Sequence, residues 1–530
     1  MIKGPSHTHT SFPQKALALF FIYGCLMFAT PVKAAAQQNV SNYDRLERAA
    51  GMISAGQLSS AEGELNAVLR RSPQDANALN LLGVVRAQQQ RNAEAEQLFL
   101  RAVKSAPTLI GAYLNLARLY LELEKTDRAL WAFTEAVKLS PEDPDINLNL
   151  ALIYERRREY ERALEQLAKI PSSQMGGEHL YVLIKSHLGL SHVTEAQALA
   201  SPLKQPGRVP PEIAAAFAAA FAERELYDDA IQILEAARQG SQPSFALLYN
   251  LGTGYYRKRD FTRAEQYYTE ALAAKPDDVD TLRALARVAR AQGEMEKALA
   301  YLLRARKLAP KSEPVLYDFG WTALNLNLLF DALPVLEELQ RAHPDEPGYL
   351  YALGIARLQN GEAQKAVDLM NRFIKLRPQE SGGYYVLGAA LYGLKQFPQA
   401  RAMLERSLEL APYADAQYYL GMIAYNEGDD ERATMWLQRA LNTEPNYPAA
   451  HAALGMTYSR QKNYKAARAE LERAMQLNPK DATAAYQLGL VYARLGEKDL
   501  AQSMFATADK LRAEKEKESA VRFRLIDPPK

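Results

Sequence analysis

The sequence predicts an all-α chain of about fourteen stacked helix pairs, and three regularities predict that class. Alanine recurs fourteen times at steps of 34 or 33 residues, from Ala61 and Ala95 to Ala467 and Ala501. Twelve residues before each of these alanines stands Gly or Ala in thirteen cases, as at Gly83, Ala117 and Gly388; only Ile184 departs. Twelve residues after, proline stands in ten cases, as at Pro141, Pro378 and Pro445. A fixed period of this length marks a repeat array. Such an array grows without one large central core, so 530 residues need not mean three or four domains.

Residues 110–143 show the physics of one unit. Tyr113, Leu116, Ala117 and Tyr120 fall at i, i+3, i+4 and i+7, one face of a first helix. Ala129, Phe133 and Ala136 make the matching face of a second. Ala117 and Ala129 are small where the two helices come closest. Pro141 stops the second helix and opens the next unit. Glycine inside a helix costs about 1 kcal/mol relative to alanine. Its recurrence at the small position implies that close contact offsets that cost.

This pattern, an aromatic or Leu, then Leu-Gly, Tyr, Ala, Phe, Ala and Pro at fixed offsets, resembles the tetratricopeptide repeat from residue 42 to about 513. The resemblance implies an α-α solenoid: antiparallel helix pairs stacked into a right-handed superhelix with a concave groove. Periodicity alone supports only stacked pairs.

The chain then divides into a leader at 1–36, repeats one to four at 37–170, drifted repeats five and six at 171–244, repeats seven to fourteen at 245–513, and a tail at 514–530. In the leader, Lys3 and Lys15 precede an apolar run from Ala16 to Ala29, and Ala34-Ala35-Ala36 satisfies the small-x-small rule. Fourteen apolar residues are too few to span a bilayer, which takes about 20. A secretory signal cleaved near Ala36 is expected, with an uncleaved anchor as the alternative. The mature protein would then be exported, to the periplasm or cell envelope or beyond, and would lack a transmembrane segment. Cys25, the only cysteine, lies inside this run, so the mature chain would have no disulfide. Bulky Tyr23 and apolar Leu26-Met27-Phe28 argue against lipidation there. Loss of Lys3, Lys15 and Lys33 takes the net charge from +2 to −1, which gives no electrostatic reason to expect nucleic acid.

The drifted repeats lack the closing proline in register and carry Ile184. Loop-like sequence at 171–211 reads as a bend or hinge, against sequence drift in a regular stack. At the far end, Lys510 to Glu518 reads as a charged helical extension capping the array, and Asp527 to Lys530 as a disordered tail.

Repeats use up every domain-sized stretch. No phosphate loop, nucleophile elbow or metal-ligand spacing stands out, so neither an enzyme nor a cofactor is expected. His179, His187 and His192 cluster in repeat five, where His187 takes a core or edge position.

In the family, positions 2, 5, 9 and 12 of each first helix face the groove. The resemblance therefore points to Tyr249, Tyr317, Tyr351 and Tyr385 at position 5 and Tyr256 at position 12 as contacts for a protein or peptide. Packing between repeats is the competing reading of these tyrosines. Asn115, Asn149 and Asn250 at position 6 give only weak support for a backbone clamp. Repeat eight differs: Arg283, Arg287 and Arg290 at i, i+4 and i+7 make one basic face. Arg257 lies one repeat before, and Trp321 one repeat after. Either this is a binding hot spot for an acidic segment or it is a solvated face neutralised by Asp280, Glu294 and Glu296. The expected role is a scaffold holding protein or peptide segments, in envelope assembly or secretion. The alternative is a non-catalytic subunit that recruits an envelope enzyme, such as one acting on polysaccharide.

Overall fold

In a computed structural model of the protein, residues 36–239 and 244–525 are described, with side chains across 42–239 and 244–514. The expected leader, Cys25 and the end of the tail lie outside the described residues. Among these residues there are 28 α-helices in fourteen consecutive pairs and no strand. Two compact units divide between Pro276 and Asp277, repeats one to seven in the first and eight to fourteen in the second.

Local sequence explains how several first helices begin. Pro144, Pro347 and Pro448 open first helices, where a missing N–H costs nothing. Asp143 also caps the helix that Pro144 opens, and Asp278 and Asp481 cap two others, their carboxylates accepting backbone N–H groups of the first turn.

The middle of every repeat carries a turn that the sequence pattern hides. One residue per repeat, five before each marker alanine, has positive φ. It is glycine at Gly56, Gly293, Gly361, Gly428 and Gly496, but a non-glycine residue such as Gln90, Ser191 or Lys395 in the other nine repeats. The next N–H bonds back to a carbonyl five residues earlier, as from Arg91 to Arg86 (2.8 Å) and Gln396 to Leu391 (2.9 Å). A left-handed residue with this bond ends a helix and satisfies carbonyls that would otherwise lack partners.

The two helices of a pair then meet at the small position. A Cβ on Gly388 would come within 2.6 Å of Leu404 and 3.2 Å of the Ala400 carbonyl. Gly455 faces the Ala467 carbonyl and Gly489 the Ala501 carbonyl in the same way. The marker alanine and the small residue twelve before it are thus the two sides of one contact. Within each unit most second helices also pack on the following first helix. Phe99, Leu116 and Phe133 fill these seams in the first unit, and Leu350, Met370, Leu404 and Leu420 in the second.

Repeats four and five close differently. Their second helices, Tyr160–Leu167 and Val193–Ala200, have eight residues where most have fourteen. A 3-10 turn follows each, at Ser172–Gln174 and Ser201–Lys204. Lys204 pairs with nearly buried Asp229 of repeat six at 2.5 Å, and Gln197 donates to the same carboxylate at 2.8 Å. The last helix, Lys498–Leu525, runs on for 28 residues.

Candidate functional site

The first helices of repeats eight to twelve are Val279–Ala291, Glu313–Asn325, Pro347–Gln359, Ser381–Gly393 and Ala414–Glu427. Their fifth residues are Arg283, Tyr317, Tyr351, Tyr385 and Tyr418, all half-buried. The tyrosines interlock. A Cβ at position 2 of the next repeat would lie 3.4 Å from the Tyr317 hydroxyl at Gly348 and 2.7 Å from the Tyr351 hydroxyl at Gly382. Glycine there lets each phenol reach across to its neighbour. Trp321 stacks on Tyr351 (centroids 6.3 Å, 25° between planes), Tyr351 touches Phe373 at 5.2 Å, and Tyr317 meets Tyr349 at 5.4 Å. Burial pushes Tyr351 up to about 12, so its phenol is neutral at any physiological pH. These tyrosines therefore join repeats together and also leave part of each ring exposed.

The basic face of repeat eight is not three free charges. Arg283 Nε donates to Asp318 Oδ2 at 3.0 Å, and Arg290 Nη2 donates to Asp318 Oδ1 at 3.3 Å. Arg283 also reaches Asp280 at 3.3 Å. Asp318 is 7% exposed, so both arginines serve to hold a carboxylate that burial would otherwise disfavour. Asp280 was the one expected neutraliser that takes part; Asp318, which binds two of the arginines, was missed. Its only sequence signal was an acidic residue immediately after a position-5 tyrosine. Arg287, between them in sequence, has a long contact from Nε to the Arg283 carbonyl (3.4 Å) and no carboxylate partner among the described residues.

Tyr249, Tyr256 and Arg257 belong to the first unit and the other seven expected residues to the second. Tyr249 packs on Phe245 and Tyr268, with centroids 6.0 and 5.4 Å away, and Tyr256 on Phe261 at 5.8 Å. Arg257 is exposed. Two of the three asparagines are engaged within the chain: Asn115 donates to Asn80 (2.9 Å) and Asn149 to the Asp145 carbonyl (2.7 Å).

A second cluster was not foreseen as a site. Asp415, at position 2 of repeat twelve, accepts a 2.6 Å hydrogen bond from the Tyr447 hydroxyl. Tyr385, Tyr413, Tyr418 and Tyr419 lie around it in a chain of ring contacts 4.8 to 6.1 Å apart. The repeated Tyr413 and Tyr447, each just before a first helix, were the available signal. In the first unit, a cavity of about 400 Å³ is bordered by Lys204, Asp228, Glu235, Tyr255, Lys258 and Arg263. Its charges are largely paired, as in Lys258 with Asp228 and Tyr255 with Glu235. Among the described residues no group of His, Cys, Asp and Glu is arranged to hold a metal, and no helix is long and apolar enough to cross a membrane.

Comparison with known proteins agrees with the helix pairs. One tetratricopeptide-repeat family model matches residues 53–110, 114–175, 249–313, 317–381 and 385–451, more than half of the chain. Two further repeat models match 457–496 and 482–515. No curated protein matches the chain. Among solved structures, a tetratricopeptide repeat protein from Parabacteroides merdae is 22% identical, covering 45% of this chain and 95% of its own, with a TM-score of 0.39. The Cut9–Hcn1 hetero-tetramer of APC/C is 16% identical, covering 90% and 94%, with a TM-score of 0.41. The repeat protein TTC0263 of Thermus thermophilus is 23% identical, covering 34% and 100%, with a TM-score of 0.32.

Proposed function

Because the chain belongs to the tetratricopeptide-repeat family, a fold of protein–protein interaction adaptors, we propose that it is a non-catalytic scaffold whose second unit holds a segment of another protein against its first helices. The observation that carries this reading is Arg287, a half-buried guanidinium without a carboxylate partner, next to the Arg283–Asp318–Arg290 network on a face walled by part-exposed Tyr317, Trp321 and Tyr351. Arginine binds carboxylates through two parallel hydrogen bonds and stacks on aromatic rings. A face with a guanidinium that has no carboxylate partner among the described residues, beside large rigid rings, suits a segment with an acidic residue and an apolar or aromatic neighbour. The leader at 1–36 supports export, and the working place is then the periplasm or cell envelope, in assembly or secretion.

Photocrosslinking tests both halves of the reading. A photoreactive amino acid replaces Trp321 in one variant and Leu303 in another; Leu303 is 51% exposed on the second helix of repeat eight. A discrete adduct from the envelope fraction at Trp321 but not at Leu303 supports the proposal. Equal labelling at both positions, or none at Trp321, rejects it. N-terminal sequencing of the mature protein tests export, and a start at Met1 or Ile2 rejects cleavage.

A further inference from the structure

The first helices of the second unit end, on the side of repeats eleven to thirteen, in a site of opposite charge to repeat eight. Asp415 is half-buried, and only its Oδ1 is engaged, by Tyr447. Among the described residues its Oδ2 has no hydrogen-bond or ion-pair partner. That oxygen is not closed off from water, so a cation carried on a bound segment can reach it and pair with the carboxylate. Five half-buried tyrosines surround it: Tyr385, Tyr413, Tyr418, Tyr419 and Tyr447. Tyr385 lies 4.8 Å from Tyr413 and 6.1 Å from Tyr419, and Tyr418 lies 5.3 Å from Tyr419 and 5.4 Å from Tyr447.

Neighbouring aromatic rings in the same repeats already have cations over them. Arg460 covers Tyr425 at 3.8 Å, Arg439 covers Trp436 at 4.9 Å, and Arg406 covers Tyr384 at 5.9 Å. Among the described residues no Lys or Arg covers any of the five around Asp415. Burial first, and the Asp415 charge after it, raise all five phenols, so they stay neutral; at Tyr418 the Asp481 carboxylate acts ahead of Asp415, so the site is acidic through both. Aromatic faces carry the negative end of the ring quadrupole and attract a cation. A metal ion would need several oxygen ligands where this site presents one carboxylate.

We infer that the tyrosine-walled site around Asp415 receives a cationic side chain, arginine or lysine, from the protein segment bound on this face. The inference rests on the proposed binding role and sharpens it. Tyr317, Tyr351, Tyr385 and Tyr418 recur once per repeat between Arg287 and Asp415, so one segment laid across them meets a basic group at one end and an acidic group at the other. The partner therefore carries an acidic residue toward repeat eight and a cationic residue toward repeat twelve.

The test uses a library of random 14-residue peptides selected on the immobilised full chain. Enriched peptides are then synthesised in pairs, one with arginine and one with citrulline, which has the same shape without the charge. The arginine form is expected to bind about tenfold more tightly to the wild type. That advantage should vanish in Asp415→Asn, with circular dichroism unchanged. Equal binding of arginine and citrulline forms to the wild type overturns the inference without relying on any variant. So does an advantage that persists in Asp415→Asn, or a selection that enriches no cationic residue or no peptide at all. The proposed function is read separately. If arginine and citrulline peptides bind equally but Arg287→Ala weakens both, only the Asp415 inference falls. If the arginine advantage depends on Asp415 while Arg287→Ala and Trp321→Ala change nothing, the repeat-eight contact falls instead.

Discussion

In repeats ten to twelve the second helices end at Leu376, Leu410 and Thr443, each two residues before a proline. In repeat five the second helix ends after eight residues at Ala200, and Arg208 stands where the proline would be. Yet the turn inside the repeat is the same. Ser191 and Glu225 are left-handed in repeats five and six, as Gly361, Lys395 and Gly428 are in ten to twelve. The bonds from His192 to the His187 carbonyl (2.8 Å) and from Leu226 to the Phe221 carbonyl (3.1 Å) match those of the regular repeats. The pairing of two helices within a repeat thus goes with the left-handed turn, which repeat five keeps even with buried Ile184 at the small position. The closing proline governs only how one repeat hands over to the next, and that junction tolerates 3-10 turns and an ion pair in its place.

The sharpest way to break the regular side of this comparison is Ala366→Leu. Ala366 is fully buried at the pair contact of repeat ten, so overpacking should destabilise by about 1–3 kcal/mol. Because repeats couple mainly to their neighbours, hydrogen exchange should accelerate in repeats nine to eleven before elsewhere. Unaltered exchange there would show that the small position is not a close contact.

Binding should depend on the regular repeats and not on the drifted ones. Once a partner is in hand, Arg287→Ala or Trp321→Ala should each cost about 2 kcal/mol in affinity. The arginine effect should shrink at high salt and the tryptophan effect should not. Wild-type affinity in both variants, with helicity unchanged, would move the contact off repeat eight.

The drifted junction itself is open to limited proteolysis. If 171–211 is a hinge, cleavage begins there and leaves two helical fragments. Cleavage that starts in another inter-repeat turn would count 171–211 as part of a regular stack.

A smaller difference comes from histidine. Burial lowers His179 and His187 in repeat five below the usual 6.5, and His192 lowers His187 further; Glu178 and Asp145 oppose the shift at His179, and Glu195 at His187. Both are then neutral when folded, while the unfolded chain protonates first as pH falls. Stability of repeat five is therefore full above about pH 6.5 and declines as pH drops through that value toward the lower folded pKa. Hydrogen exchange at pH 7.5 and 5.5 should show protection lost in repeat five and retained in ten to twelve, and His187→Gln should reduce the loss.

The smallest effect separates the two kinds of turn. Lys395 adopts the left-handed conformation that glycine supplies at Gly361 and Gly428. Lys395→Gly should stabilise by about 0.5 kcal/mol, the relief of the side-chain clash less the extra entropy of glycine in the unfolded chain. Ser191→Gly should do the same in repeat five, and chemical denaturation measures both.

The sequence by itself determined the register of all fourteen pairs, because the contact that sets it is made inside one repeat. A residue small enough at Gly388 must meet Ala400 twelve residues later, and no distant part of the chain can change that spacing. It did not show the left-handed turns, since nine of fourteen lie on residues other than glycine, and eight of those, all but Asn327, ordinarily avoid that conformation and are held there by the surrounding helices. Nor did it show which charges are free. Asp318 reaches Arg283 across 35 residues and Tyr447 reaches Asp415 across 32, so these pairings exist only once neighbouring repeats are stacked. The same stacking that engages Arg283 and Arg290 leaves Arg287 without a carboxylate partner, and it places five tyrosines around Asp415. Which charges a binding partner would meet is a property of contacts between repeats, and periodicity within a repeat carries no information about them.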